Sequence, residues 1–154
     1  MDLDDIDRRI LALIQRDARL TAAQIGERVG LSASAAHRRL QRLWRSGVIE
    51  AQVAVVNPKL VGRPLVMIVG VEIERERPED LHELKRWLAA EPAVQQAWYV
   101  TGESDFTLVI TARDAEDYDA FMQRLVAENR NVRRFRTSMA LSTLKRGLAV
   151  PVEE

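Results

Sequence analysis

Apolar residues near the start of the chain recur at steps of three and four, a spacing that predicts helices. Leu3, Ile6, Ile10, Leu13 and Ile14 fall on one stripe, with Asp2, Asp4 and Asp5 at the end where the helix dipole is positive. Thr21 stands before Ala22-Ala23-Gln24, an N-cap with glutamine at the third helical position. Ile25 and Val29 are the buried face of this second helix, and Gly30 ends it. Ser32 caps a third helix with a stripe of Ala36, Leu40 and Leu43, terminated at Gly47.

The period then changes. Val48 to Val56 predicts a strand that connects two domains and is closed by Asn57-Pro58. Beyond Gly62 and Pro64 the pattern predicts a strand from Leu65 to Ile73, a helix from Pro78 to Ala90 and strands from Val94 to Thr101 and from Asp105 to Thr111. A helix from Ala115 to Glu128 and a strand from Val132 to Leu144 follow. This βαββαβ order is the split βαβ of ferredoxin-like folds, an α+β arrangement with a four-stranded antiparallel sheet covered on one face by two helices. The expected organisation is a winged-type helix-turn-helix domain over residues 1–50, a hinge over 51–63 and the βαββαβ domain over 64–154. Val66, Ile68, Val109 and Ala140 are too apolar to leave the second sheet face wet, which predicts dimerisation through this domain.

Charge sharpens the picture. The chain has 154 residues, 47% hydrophobic and 30% charged, with 23 basic and 23 acidic side chains, so the total says nothing about nucleic acid. The distribution does. Residues 1–63 carry 11 basic and 7 acidic side chains, whereas residues 64–154 carry 12 and 16. From Thr21 to Arg63 there are seven basic and two acidic, and Ser34, His37, Arg38, Gln41, Arg42 and Arg45 project from the third helix away from its apolar stripe. Three short helices with a tight turn before a basic last helix are the helix-turn-helix arrangement, whose last helix enters the major groove of double-stranded DNA. A solvated basic face on an ordinary bundle is the alternative. Arg28, Arg38, Arg42 and Arg45 are suited to phosphates, as is Ser32 with the free amides of its helix start. Ser34, His37 and Arg38, with Gln41 next, are suited to base edges. For Arg39, at the stripe's margin, an ion pair, a phosphate contact and base readout all stay open. Trp44 reads as helix packing.

Cysteine is absent, which excludes disulfides and thiolate chemistry and suits a reducing cytoplasm. The acidic start is unlike a secretory signal, and no apolar run reaches the roughly 20 residues of a membrane span. Two distant histidines make no metal-ligand spacing, and no phosphate loop or dinucleotide motif appears, so no cofactor is expected.

The stretch from Leu3 to Glu50 resembles the helix-turn-helix of the leucine-responsive and asparagine regulator (Lrp/AsnC) family, with Leu31-Ser32 at the turn, Arg39 in the third helix and Gly47-Val48-Ile49 leading to the hinge. Val100-Thr101-Gly102-Glu103-Ser104-Asp105-Phe106, followed by Asp114 and the Tyr118 and Phe121 pair, resembles that family's amino-acid-sensing domain. The resemblance implies a cytoplasmic, nucleoid-associated transcription regulator. Its βαββαβ domains would pair into homodimers, and these into tetramers or octamers that wrap or bend DNA. It also implies a small effector, usually an amino acid, near Thr101, Gly102, Glu103, Ser104 and Asp105 where dimers meet, with Thr137 and Ser138 completing the pocket from a neighbouring subunit. Gly102 permits positive φ, its turn leaves amides facing a carboxylate, and Asp105 suits an ammonium. A plain hairpin loop capped by Asp105 is the alternative, and Ser104 stands where the family commonly has an aromatic residue. The basic run Arg130 to Arg136 admits a solvated edge, an inter-subunit ion-pair surface or extra DNA contact. Two other functions stay in view: a DNA-architectural protein without an effector, and a sirohaem-decarboxylase-like enzyme on the same architecture. The latter would need histidines in the second domain, where His82 stands alone.

Overall fold

The computed structural model describes residues 2–152. It divides the chain into two compact units, one built on the first helices up to Val55 together with the segment from Lys145 onward, the other running from Val56 to Leu144. The return of the last segment to the first unit was not expected, since the sequence reading placed it with the sheet.

In the first unit α1 spans Asp5–Arg16, α2 Ala22–Val29 and α3 Ala33–Arg45. Each start has a side-chain cap, expected at Thr21 and Ser32 and added at Asp4, where only an acidic helix start was expected. Asp4 accepts from the Asp7 N–H at 2.8 Å, Thr21 accepts from Gln24 N–H at 3.2 Å and Ser32 accepts from Ala35 N–H at 3.2 Å, which satisfies amides that have no partner inside a helix. The core joins Ile10, Leu11, Ile25, Val29, Ala36 and Leu43. Gly30, with φ of 77°, lets α2 end in a left-handed cap. Gly26 matters more. A Cβ there would stand 2.5 Å from the Leu31 carbonyl oxygen, so only glycine lets the α2–α3 turn close on the helix before it.

The strand expected from Val48 to Val56 does not form; no strand precedes β1 among the described residues. Val53, Val55 and Val56 are exposed, and strand propensity reflects packing on a half-buried pleated surface, which these side chains lack.

In the second unit β1 spans Leu65–Ile73, α4 Pro78–Ala90, β2 Val94–Tyr99, β3 Phe106–Ala112, α5 Ala115–Glu128 and β4 Val132–Met139. The last strand thus stops five residues before the expected Leu144, after its final pairing of Met139 with Met67. The sheet order is β2-β3-β1-β4, antiparallel throughout. Alternation sorts its faces. Met67, Val69, Val71 and Ile73 of β1 and Phe106, Leu108 and Ile110 of β3 are buried with Leu84 and Leu88 of α4 and Phe121, Met122 and Leu125 of α5. The other face carries Ile68, 46% exposed, beside Val66, Val109 and Trp98, the last 47% exposed.

Candidate DNA-binding helix and effector loop

On α3 the spacing that buries Ala36 and Leu43 turns Ser34, His37, Arg38, Gln41 and Arg45 to solvent. Ser34, Arg38, Gln41 and Arg45 follow one another at steps of four, three and four, a single row along the helix. Arg28, Arg38 and Arg45 are in no ion pair among the described residues, so their charge is available to a polyanion. Ser32 lies 3.1 Å from the Ser34 hydroxyl at the helix start. Trp44, expected as packing, is exposed over about a third of its surface (37%).

Arg39 and Arg42 turn their guanidiniums toward α1, Arg39 mostly covered and Arg42 still 48% exposed. Arg39 Nη1 donates to both carboxylate oxygens of Asp4, at 2.8 and 2.6 Å, and to Oδ1 of Asp7 at 2.9 Å. Arg42 Nη2 donates to Oδ2 of Asp7, whose side chain is fully buried. The Arg39 hydrogen bond holds the Asp4 carboxyl below its ordinary range. Of the alternatives open for Arg39, the structure realises the ion pair, and it also pairs Arg42, a candidate phosphate contact. The sequence reading did not single out Asp7. Its signal was present: an acidic residue at the third helical position after Asp4, where the side chain doubles back on the cap.

In the second unit Thr101, Gly102, Glu103 and Ser104 form the turn between β2 and β3, with Gly102 at φ of 124°. The Val100 N–H donates to the Asp105 carbonyl at 2.8 Å and closes the hairpin. Asp105 stitches the turn to β1: its N–H donates to the Val71 carbonyl at 2.9 Å, and its Oδ2 accepts from the Ile73 N–H at 2.8 Å. Ser104 lies over Gly70, where a Cβ would come within 2.4 Å of its hydroxyl oxygen. Glu103 accepts from Arg136 at 2.7 Å, and Arg136 also approaches Glu72 at 3.8 Å.

Thr137 and Ser138 separate. Thr137 is paired with Val69 on the helix-covered side and bonds the hydroxyl of Tyr118, which burial pushes above the ordinary tyrosine range. Ser138 is paired with Ile68 on the open face. Within one chain, therefore, the residue of β4 that meets the turn is Arg136, which the sequence reading treated only as part of a basic run. Of two open clefts, one of about 420 Å³ lies between α4 and β2 around Lys85 and Trp98 and reaches Tyr99 and Phe106 beside the turn, and one of about 280 Å³ lies around Arg63, Asp117 and Arg124. Among the described residues no helix is long and apolar enough to cross a membrane, and no three His, Asp or Glu side chains converge as a metal site.

Comparison with known proteins accounts for both units. Residues 3–50 match the model of the winged helix-turn-helix DNA-binding family, and residues 66–150 match that of the Lrp/AsnC ligand binding domain. The chain is 42% identical, over 99% of its length and 90% of the relative's, to the uncharacterized HTH-type transcriptional regulator y4tD of Sinorhizobium fredii. It is 32% identical to the leucine-responsive regulatory protein of Rhizobium meliloti over 99% of this chain and 97% of that one. An AsnC family transcriptional regulator from Agrobacterium tumefaciens, 28% identical, superposes with a TM-score of 0.90 over 97% of both chains. The transcriptional regulator NMB0573 of Neisseria meningitidis, solved as an L-Met complex, is 27% identical with the same TM-score and coverage. A capped helix with a free cationic row, a βαββαβ unit with a stitched β2–β3 turn, and matches that run through both lead to one assignment: the chain belongs to the Lrp/AsnC family of DNA-binding transcriptional regulators.

Proposed function

We propose that Ser34, His37, Arg38 and Gln41 enter the major groove and read base edges, while Arg28, Arg45 and the helix start at Ser32 grip phosphates. The observation that carries this reading is the single solvent-facing row from Ser34 to Arg45, whose arginines are left unpaired while their neighbours Arg39 and Arg42 are engaged. Early positions of α3 penetrate deepest and suit base contact; later ones suit the backbone. Arg38→Ala should relax preference at one base position and cost about 1–3 kcal/mol on a duplex selected by the protein from a random pool. Arg45→Ala should weaken all duplexes alike and reduce the salt slope by about 0.9. Uniform loss in Arg38→Ala would overturn its role as a base reader.

The second unit pairs with its counterpart through the open sheet face, in a homodimer or a larger homo-oligomer, and takes an amino acid at the 101–105 turn. The L-Met complex of the Neisseria regulator supports an amino-acid effector, and the turn's exposed amides around Gly102 suit its carboxylate. Residues 101–105 line neither of these two clefts, and the exposed open face of the sheet favours a pocket completed by a second copy, with Ser138 on that face a better contributor than Thr137. The protein acts as a regulator rather than a catalyst, in the cytoplasm at the nucleoid. A thermal-shift screen against the twenty amino acids tests the sensor, since a ligand held only by the folded state raises its apparent stability. A shift with one or a few that disappears in Asp105→Ala supports the assignment; no shift with any of them sinks it.

A further inference from the structure

We infer that Asp7 is a positioning residue for DNA recognition, acting through Arg39 and Arg42 to set the rotation of α3 on α1. The inference rests on α3 being the helix that reads DNA. It adds that the two arginines facing α1 are not phosphate contacts but the support of those that face the groove.

The geometry is that of a two-armed clamp. Asp7 is fully buried, and each of its carboxylate oxygens accepts from a different guanidinium of the same helix, Oδ1 from Arg39 at 2.9 Å and Oδ2 from Arg42. Arg39 also holds Asp4, the residue that caps α1. Two carboxylates therefore meet two guanidiniums, and one turn of α3 is tied to the first turn of α1. The apolar contact beside this network, of Ala36 and Leu43 with the partly buried Leu40, is less selective for rotation. The fully buried residues of α3 are Ala36 and Leu43, one of them a single methyl group, and hydrophobic contact is non-directional. Charge-assisted hydrogen bonds are directional, and in a buried setting a missing partner is heavily penalised, so the pair admits one rotation of the helix. That rotation sends Arg38 and Gln41 outward. A small roll of α3 would move those side chains off a base edge while leaving a generally basic surface to phosphates.

The test compares a duplex selected by the wild-type protein from a random pool with a scrambled duplex of the same composition, over a range of salt concentrations, for Asp7→Asn, Arg42→Gln and Arg38→Ala. Circular dichroism and thermal melting show that each variant is folded at the assay temperature. The positioning role predicts that Asp7→Asn and Arg42→Gln each lower the ratio of selected to scrambled affinity on the order of tenfold, with the salt slope on scrambled DNA unchanged. If Arg42 is instead a phosphate contact, Arg42→Gln lowers affinity for both duplexes together and reduces the slope by about 0.9, and the inference is overturned. An Asp7→Asn protein that gains affinity for scrambled DNA also overturns it, because the arginines would then be competing for phosphate. Should Asp7→Asn not fold, Arg42→Gln decides alone. If Arg38→Ala keeps full selectivity, the assignment of α3 as the reading helix falls; if Arg38→Ala loses selectivity while Asp7→Asn and Arg42→Gln keep it, only the present inference falls.

Discussion

The side chain of Gln15 meets the backbone of Val150 twice, its amide nitrogen donating to the Val150 carbonyl at 3.1 Å and its oxygen accepting from the Val150 N–H at 2.7 Å. One amide thus serves residue 150 as a neighbouring strand would. Two residues on, Val152 packs against the core that joins α1, α2 and α3. The segment after the sheet domain is in this way part of the DNA-binding unit.

Removing this contact should therefore weaken the first unit and spare the second. Gln15→Ala is expected to cost about 1–2 kcal/mol, the net of two exposed hydrogen bonds, and Val152→Ala about 1 kcal/mol for a partly buried side chain. Amide hydrogen exchange would register faster opening across α1 with β1 and β3 unaffected. Equal acceleration in both units would refute the assignment of the segment.

Acid should reach α1 through its cap. The Asp4 carboxyl lies below its ordinary value of 3.8 because Arg39 hydrogen bonds to it. Its contribution is then complete above 3.8 and is lost as the pH falls through the lower folded-state value. Asp4→Asn should lower the melting temperature at neutral pH and flatten its decline below 3.8. A variant whose acid limb is as steep as that of the wild type would show that other carboxylates carry it.

Gly70 and Ser104 offer a test confined to the β2–β3 turn. A methyl group at position 70 would lie 2.4 Å from the Ser104 hydroxyl oxygen and 3.3 Å from its Cβ. Gly70→Ala should push the Ser104 side chain aside, cost on the order of 1 kcal/mol and weaken any amino-acid response, with DNA affinity in the absence of effector retained. Gly70→Ala with Ser104→Gly should recover most of the stability, and no recovery in a double-mutant cycle would place the strain elsewhere.

The open sheet face predicts an effect on assembly. Ile68 stands at its centre, and Ile68→Asp puts a charge where two sheets would meet. Sedimentation should show the assembly dissociating, with weaker binding to paired half-sites and little change in single-chain helix content. Unchanged mass would mean that another surface holds the copies together.

Helix starts and strand alternation were legible in the sequence because their causes are local. Thr21 and Ser32 each cap the helix their side chains predict, and β1, α4 and α5 begin and end where the pattern put them. Expectations failed where the outcome depended on a distant partner. The stretch from Val48 to Val56 has strand-forming side chains but forms no strand, and the stretch after Met139 leaves the sheet after one further hydrogen bond, from the Ala140 N–H to the Val66 carbonyl.

The sequence by itself thus determined two units, the class of each and the row of side chains on α3, since periodicity, capping and charge act within a few residues of one another. Only the tertiary structure decided which arginines of that helix are free. Arg38 and Arg39 are adjacent and chemically identical, and what separates them is the approach of Asp4 and Asp7 from another helix, a contact of two carboxylates 35 and 32 residues away. The same holds for Thr137 and Ser138, neighbours on β4 that the pleat sends to opposite faces, and for Val150, whose place beside Gln15 is set by packing across 135 residues of chain.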